Sequence, residues 1–174
     1  MTRRSMLETA TDLDVDLANV ALVRSRALWE TIVFEGVDPA NPWHRMWDGY
    51  ETALAAYALA IGSGLAARGV DVFRTTEPLF RSLDDLRREG YDYDFVRPPW
   101  MDDLDFIRSH RSNLSRRFPD RFEWKGTPAK MPYLWPFVDA EGGYGLFLSK
   151  HDKTLLSRGE RTLPSKIAER IENL

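Results

Sequence analysis

The sequence contains no cysteine, and its 174 residues include only three histidines, His44, His110 and His151. The first absence excludes a disulfide framework, thiolate zinc sites, iron–sulfur ligation and a cysteine nucleophile. Three histidines so far apart do not make a histidine-rich metal site, so neither metal nor cofactor is expected, and any cation would fall to carboxylates. No apolar run approaches the roughly eighteen residues of a membrane span. The opening Met-Thr-Arg-Arg-Ser-Met-Leu-Glu has positive charge but no apolar stretch after it, unlike a secretory signal. A cytoplasmic protein with no membrane partner is the expectation. A Gly-x-Ser-x-Gly elbow, a phosphate-binding P-loop and a zincin motif are also missing. The string Gly62-x-Gly64-x-x-Ala67 mimics a dinucleotide fingerprint, but it closes a helical pattern instead of following a strand.

Charge of one sign is not in excess either: 24 Lys and Arg stand against 27 Asp and Glu, a formal net charge of -3. Such a chain has no global basic field for holding nucleic acid nonspecifically, although local charge can differ from the total. What is present is a globular composition, 43% hydrophobic and 12% aromatic, at the length of one ordinary domain.

Periodicity predicts a mainly α fold. Leu17, Val20, Ala21, Leu28 and Ile32 place a first helix over 17–33, with Asp16 as its N-cap. Phe34 to Pro42 reads as a loop. Met46, Tyr50, Leu54, Tyr57, Ile61 and Leu65 predict one long helix from Trp43 to Arg68, closed by Gly69. Gly62 and Gly64 weaken its last turns unless a neighbour packs close. Thr75 or Thr76 with Pro78 marks the next start, followed by Leu79, Leu83 and Leu86 and a stop at Gly90. Asp102 or Asp103 caps a further helix, with a buried stripe of Leu104, Ile107, Leu114 and Phe118 on which Arg111 also falls. Tyr133–Val138 and Tyr144–Leu148, flanking Asp139 to Gly143, predict a small β-hairpin near the C-terminus. Pro164 opens a last helix with Ile167, Ile171 and Leu174 on one side.

Arg111 carries a charge that cannot be removed at physiological pH, so on an apolar stripe it must meet an anion or a carboxylate. It could grip a phosphate at two points, or tie two helices together. Between Arg97 and Lys130 basic residues outnumber acidic ones, with Trp100, Trp124, Tyr133 and Trp135 interleaved. Arginines among aromatics suit phosphates and stacked bases, and equally suit a solvated face over a tryptophan core. Asn41-Pro42-Trp43-His44-Arg45-Met46-Trp47 opens a helix, where free amides favour anions and His44 and Arg45 add donors. The alternative is a capped helix whose tryptophans are packed away. Ser109 and Ser112 beside His110 do not form a triad, because adjacent helical residues diverge.

Asn41 to Ile61, the Pro98-Pro99-Trp100 turn, Arg108 to Leu114, and Met131-Pro132-Tyr133-Leu134-Trp135-Pro136 together resemble an actinobacterial branch of the pyrimidine-dimer DNA glycosylase family. The resemblance covers roughly Asp16 to Pro136. It implies a mainly helical domain over 1–136, with 137–174 as a C-terminal extension of hairpin and helix packed on it. It implies a glycosylase and abasic-site lyase acting on damaged duplex DNA, in which the α-amine exposed by loss of Met1 attacks the sugar C1′. An α-amine titrates near neutrality, so part of it is an unprotonated nucleophile. Thr2 is small enough to permit that removal, and Arg3 follows it as in the small phage enzyme that founded the family.

One position departs from the pattern: the glutamate expected on the first helix is replaced by Arg26. Glu30, one turn later on the same face, is the carboxylate available to manage proton transfer. The expected site is thus Thr2 and Glu30 for catalysis, with Arg3, Arg26, His44, Arg45, Arg111, Trp47 and Trp100 as phosphate or substrate contacts. Two other readings stand beside it. One is a noncatalytic nucleic-acid-binding protein that kept the fold, the other a related enzyme acting on a modified base or nucleotide.

Overall fold

The computed structural model describes residues 13–90, 97–121, 130–138 and 143–171, apart from the side chain of Leu86. Among these residues the fold is mainly helical, with seven α-helices and one antiparallel hairpin near the C-terminus. The chain forms two units, one of Met1–Asp38 and Trp47–Pro98, the other of Pro39–Met46 and Pro99–Leu174. The boundary that the resemblance implies at Pro136 falls inside a strand of the second unit.

The first unit is built on α1 (Val15–Glu35). Its N-cap is Asp14 and not Asp16: Asp14 is extended, and its Oδ1 accepts from the amide of Leu17 at 2.9 Å, while Asp16 lies within the first turn. The long helix expected over 43–68 is two helices, α2 (Pro42–Trp47) and α3 (Glu51–Ala66). Its apolar period runs on without a break, but residues 48–50 lie in neither helix and Gly49 takes a left-handed φ of 74°. Glu51 accepts from the Gly49 amide at 3.0 Å.

Helix α4 (Phe73–Arg88) starts before the expected Thr75, because Asp71 accepts from the Phe73 amide at 3.1 Å. Pro78 therefore lies inside the helix and not at its first position. Helices α1, α3 and α4 pack on one another around Ala18, Leu22, Trp29, Ile32, Leu54, Ala58, Ile61, Leu65 and Leu79. The space for this packing depends on Gly62, where a Cβ would stand 2.6 Å from Thr76 Cγ2.

In the second unit a 3-10 turn, Pro99–Asp102, leads into α5 (Leu104–Arg117). Asp103 is the cap, accepting from the amides of Asp105 and Phe106 at 2.8 and 3.1 Å. The buried face of α5 is not the expected Leu104, Ile107, Leu114 and Phe118; Leu104 is exposed and the other three are half-buried. Phe106, Ser109 and Ser112 turn inward instead. Their three-residue spacing lays small hydroxyls against the backbone of 131–134, where the Leu134 amide donates to Ser109 Oγ at 3.1 Å.

Strands β1 (Leu134–Val138) and β2 (Tyr144–Leu148) pair with Leu134 opposite Leu148 and Pro136 opposite Leu146. Among the described residues β1 pairs with no strand other than β2, and such an edge strand tolerates the missing amide of Pro136. Helix α6 (Lys150–Ser157), unforeseen in the sequence, is capped by Ser149 Oγ accepting from the Asp152 amide at 3.1 Å. The last helix is only α7 (Ser165–Ala168). Ile171 leaves it to form a parallel bridge with Leu146, so the expected helical face through Ile171 does not form, and Leu174 lies outside the described residues.

Candidate functional site

The expected catalytic pair is half within the described residues: Thr2 and Arg3 lie outside them. Glu30 is on α1 in the first unit, half-exposed, one turn after Arg26. Arg26 donates from Nε and Nη2 to the same oxygen, Glu30 Oε1, at 2.9 and 2.8 Å. Its remaining Nη1 donates to the carbonyl of Arg74 at 3.1 Å. The guanidinium thus occupies one carboxylate oxygen and leaves Oε2 without a hydrogen bond among the described residues. A groove of about 540 Å³ lined by Thr52, Phe80, Arg81 and Arg87, and a second of about 230 Å³ beside Trp29 and Glu89, also lie in this unit. Neither is lined by Arg26 or Glu30. Trp47 is buried and tilted against Tyr57, whose phenol burial pushes above its ordinary range.

Four other expected contacts belong to the second unit. His44 is buried. Arg45 stacks its guanidinium over Phe137 and Phe147, 4.9 and 4.5 Å from the ring centres. Trp100, 2% exposed, meets Phe106 edge-on at 5.4 Å. Arg111 is half-buried on α5. Arg45 and Trp100 therefore pack on residues of this unit. The structure does not place Glu30 and Arg111 in one unit.

Three polar clusters in the second unit were not read from the sequence. Asp103 accepts from Tyr144 Oη at 2.6 Å and from Arg170 Nη2 at 2.5 Å, while Arg170 Nη1 reaches Asp105 Oδ2 at 2.5 Å. Burial alone would raise the Asp103 carboxyl, but the hydrogen bonds from Arg170, Tyr144 and the Phe106 amide hold it below its usual value. In the second cluster, His110 Nδ1 and Tyr133 Oη are 3.1 Å apart, with the ring between Phe106 and Tyr133. Burial, and after it the positive charge of Arg111, pushes His110 down to about 4. The third joins Arg116 to Ser112 and to the Met131 carbonyl. Only the four-residue step from Ser112 to Arg116 gave a local hint of it.

Charge is divided between the units. The second carries fourteen Lys and Arg against eleven Asp and Glu, a net +3, and the first ten against sixteen, a net -6. Among the described residues no group of His, Asp and Glu could hold a metal ion, and no helix is long and apolar enough to cross a membrane. The chain matches no protein-family model, no curated protein and no solved structure.

Proposed function

We propose that this protein acts on DNA in the cytoplasm as a glycosylase and abasic-site lyase, with the α-amine exposed at Thr2 as nucleophile and Glu30 as its carboxylate. The amine forms a bond to the sugar C1′ as the bond to the base breaks and the base leaves with a proton. Opening of the sugar ring gives the imine, and loss of a C2′ proton expels the 3′ phosphate. The observation that supports this reading is the Arg26–Glu30 pair. Where the resemblance calls for a glutamate, α1 presents an arginine that fixes a second carboxylate one turn away, by a single oxygen. Glu30 Oε2 is then the atom that takes up a proton or faces the cationic imine. The net positive charge of the second unit supports contact with a phosphate backbone.

Borohydride trapping tests the reading. A covalent adduct with abasic or dimer-containing duplex, lost when the N-terminal amine is blocked, is the expected result. Absence of an adduct where binding is measured would overturn it. A second reading, a noncatalytic nucleic-acid-binding protein, is favoured by the burial of His44, Trp47 and Trp100 and by the stacking of Arg45 on two phenylalanines. Binding without trapping is its signature.

A further inference from the structure

The C-terminal end of α5 and the turn after α6 bring two arginines to the same stretch of backbone. Arg116 Nη1 donates to the Met131 carbonyl at 2.6 Å and to Ser112 Oγ at 2.7 Å. The adjacent carbonyl, that of Lys130, accepts from the Thr162 amide at 2.9 Å, which anchors Arg161 next door. The two guanidiniums sense each other: the Arg116 cation is disfavoured first by burial and then by the charge of Arg161. Arg161 Nε is buried with no hydrogen-bond partner, and Nη1 reaches only the carbonyl of its neighbour Glu160, at 3.0 Å.

No carboxylate pairs with either arginine among the described residues. Asp152, the acid whose field reaches Arg116, has both oxygens engaged, Oδ1 by the Tyr133 amide at 3.2 Å and Oδ2 by Ser149 Oγ at 2.6 Å. A buried donor without a partner and a like charge within electrostatic reach are both costly, and neither guanidinium can discharge by losing a proton. An oxyanion held by the two guanidiniums offsets both costs, since it supplies an acceptor and an opposite charge.

We propose that Arg116 and Arg161 bind a phosphate group. The site involves neither Thr2 nor Glu30, so it stands or falls apart from the lyase reading. Arg116 also holds the Met131 backbone, which makes Arg161 the residue to change. Its Nη1 hydrogen bond ends on the neighbouring carbonyl, so among the described residues Arg161→Gln removes no tertiary hydrogen bond.

The experiment follows the thermal unfolding and calorimetric binding of the full chain with inorganic phosphate, against sodium chloride at equal ionic strength. Phosphate is expected to raise the Tm of the wild type, and Arg161→Gln to weaken binding about tenfold or more. Arg161→Lys, which keeps the charge and loses the fork, should fall between the two and serves if the glutamine variant fails to fold. A second arm measures affinity for an undamaged duplex over a range of salt. If Arg161→Gln also weakens the duplex and lowers its salt slope by about one, the phosphate belongs to a nucleic-acid strand. If only the response to inorganic phosphate is lost, the site takes free phosphate or a small phosphorylated molecule. A wild type that responds to phosphate no more than to chloride overturns the proposal, as do folded Arg161 variants that bind as the wild type does.

Discussion

Arg26 on α1 donates to the one carbonyl of α4 that Pro78 leaves open. In a helix the amide of residue 78 would bond to the carbonyl of residue 74, and proline has no amide hydrogen to offer. Arg26 Nη1 supplies the missing donor at 3.1 Å across the helix interface. The same guanidinium fixes Glu30, so the residue that departs from the expected glutamate has a structural task that requires a fork of donors.

This coupling has a measurable size. Arg26→Ala should destabilise the chain by about 1 kcal/mol, mostly through the lost hydrogen bond to the Arg74 carbonyl, since half-exposed ion pairs contribute little. In a Pro78→Ala background the helix regains its own amide donor, and the cost of Arg26→Ala should fall by about half or more. Urea unfolding of the four proteins gives the coupling energy, and additive losses would show that Arg26 and Pro78 act independently.

Glu30→Gln separates chemistry from folding. Its half-exposed pair with Arg26 contributes at most about 1 kcal/mol, so the midpoint of urea unfolding should barely move. Under the lyase reading the yield of trapped adduct should nevertheless fall by about tenfold or more, the usual scale of a lost acid–base group. Unchanged trapping in the folded variant would remove Glu30 from the mechanism.

The Asp103–Arg170 contact ties the end of the chain to the cap of α5. Arg170 is 43% exposed at its side chain, so solvent screening limits the pair, and Arg170→Ala should cost about 1 kcal/mol at neutral pH. Because the Asp103 carboxyl is held below its ordinary value of 3.8, its contribution is full above that pH and disappears as the pH falls through the lower folded value. Arg170→Ala and the wild type should therefore converge in strongly acid urea titrations. A constant difference down to the acid limit would place the effect in packing.

The Asp103 start of α5 was legible because a cap precedes the helix, whereas α1 was legible in its span with its cap two residues off, and α4 in its existence but not in its start. The break at Gly49 was hidden because Met46, Tyr50 and Leu54 keep helical spacing across it. The inward face of α5 was misread because two of its three buried positions are serines, which count as polar in any periodicity until their backbone partners are known. Helix α6 escaped notice, although Ser149 followed three residues later by Asp152 is a start signal. At the candidate site, Arg26 and Glu30 could be paired from their four-residue spacing. The Arg74 carbonyl, Arg170 on Asp103 and the burial of His44 and Trp100 depend on residues distant in sequence.

The neutral state of His110 gives a second pH signature with the same sign. Its folded value of about 4 lies below the ordinary 6.5, so the unfolded chain binds the extra proton first as the medium is acidified. Stability from this group is complete above about 6.5 and is lost as the pH falls toward about 4, by at most about 3 kcal/mol. His110→Gln keeps a polar group near Tyr133 Oη and cannot titrate, so its stability should slope less over that window. Equal slopes in urea titrations would show that the ring takes its proton without disturbing Phe106 and Tyr133.

Gly62 tests the packing of the first unit from the opposite direction. Alanine is the better helix former by about 1 kcal/mol, and on an exposed helix face Gly62→Ala would be stabilising. Here the new Cβ would meet Thr76 Cγ2 at 2.6 Å. Thr76 cannot easily turn away, because its hydroxyl donates to the Val72 carbonyl at 3.0 Å and the side chain is buried. Overpacking of this kind costs about 1–3 kcal/mol, so the net effect should be a loss of about 1 kcal/mol. Thr76→Ser removes the obstructing methyl and keeps the hydroxyl. Gly62→Ala should then be neutral or stabilising in the Thr76→Ser background, a reversal of sign that a general loosening of the helices would not produce and that a four-protein unfolding cycle would reveal.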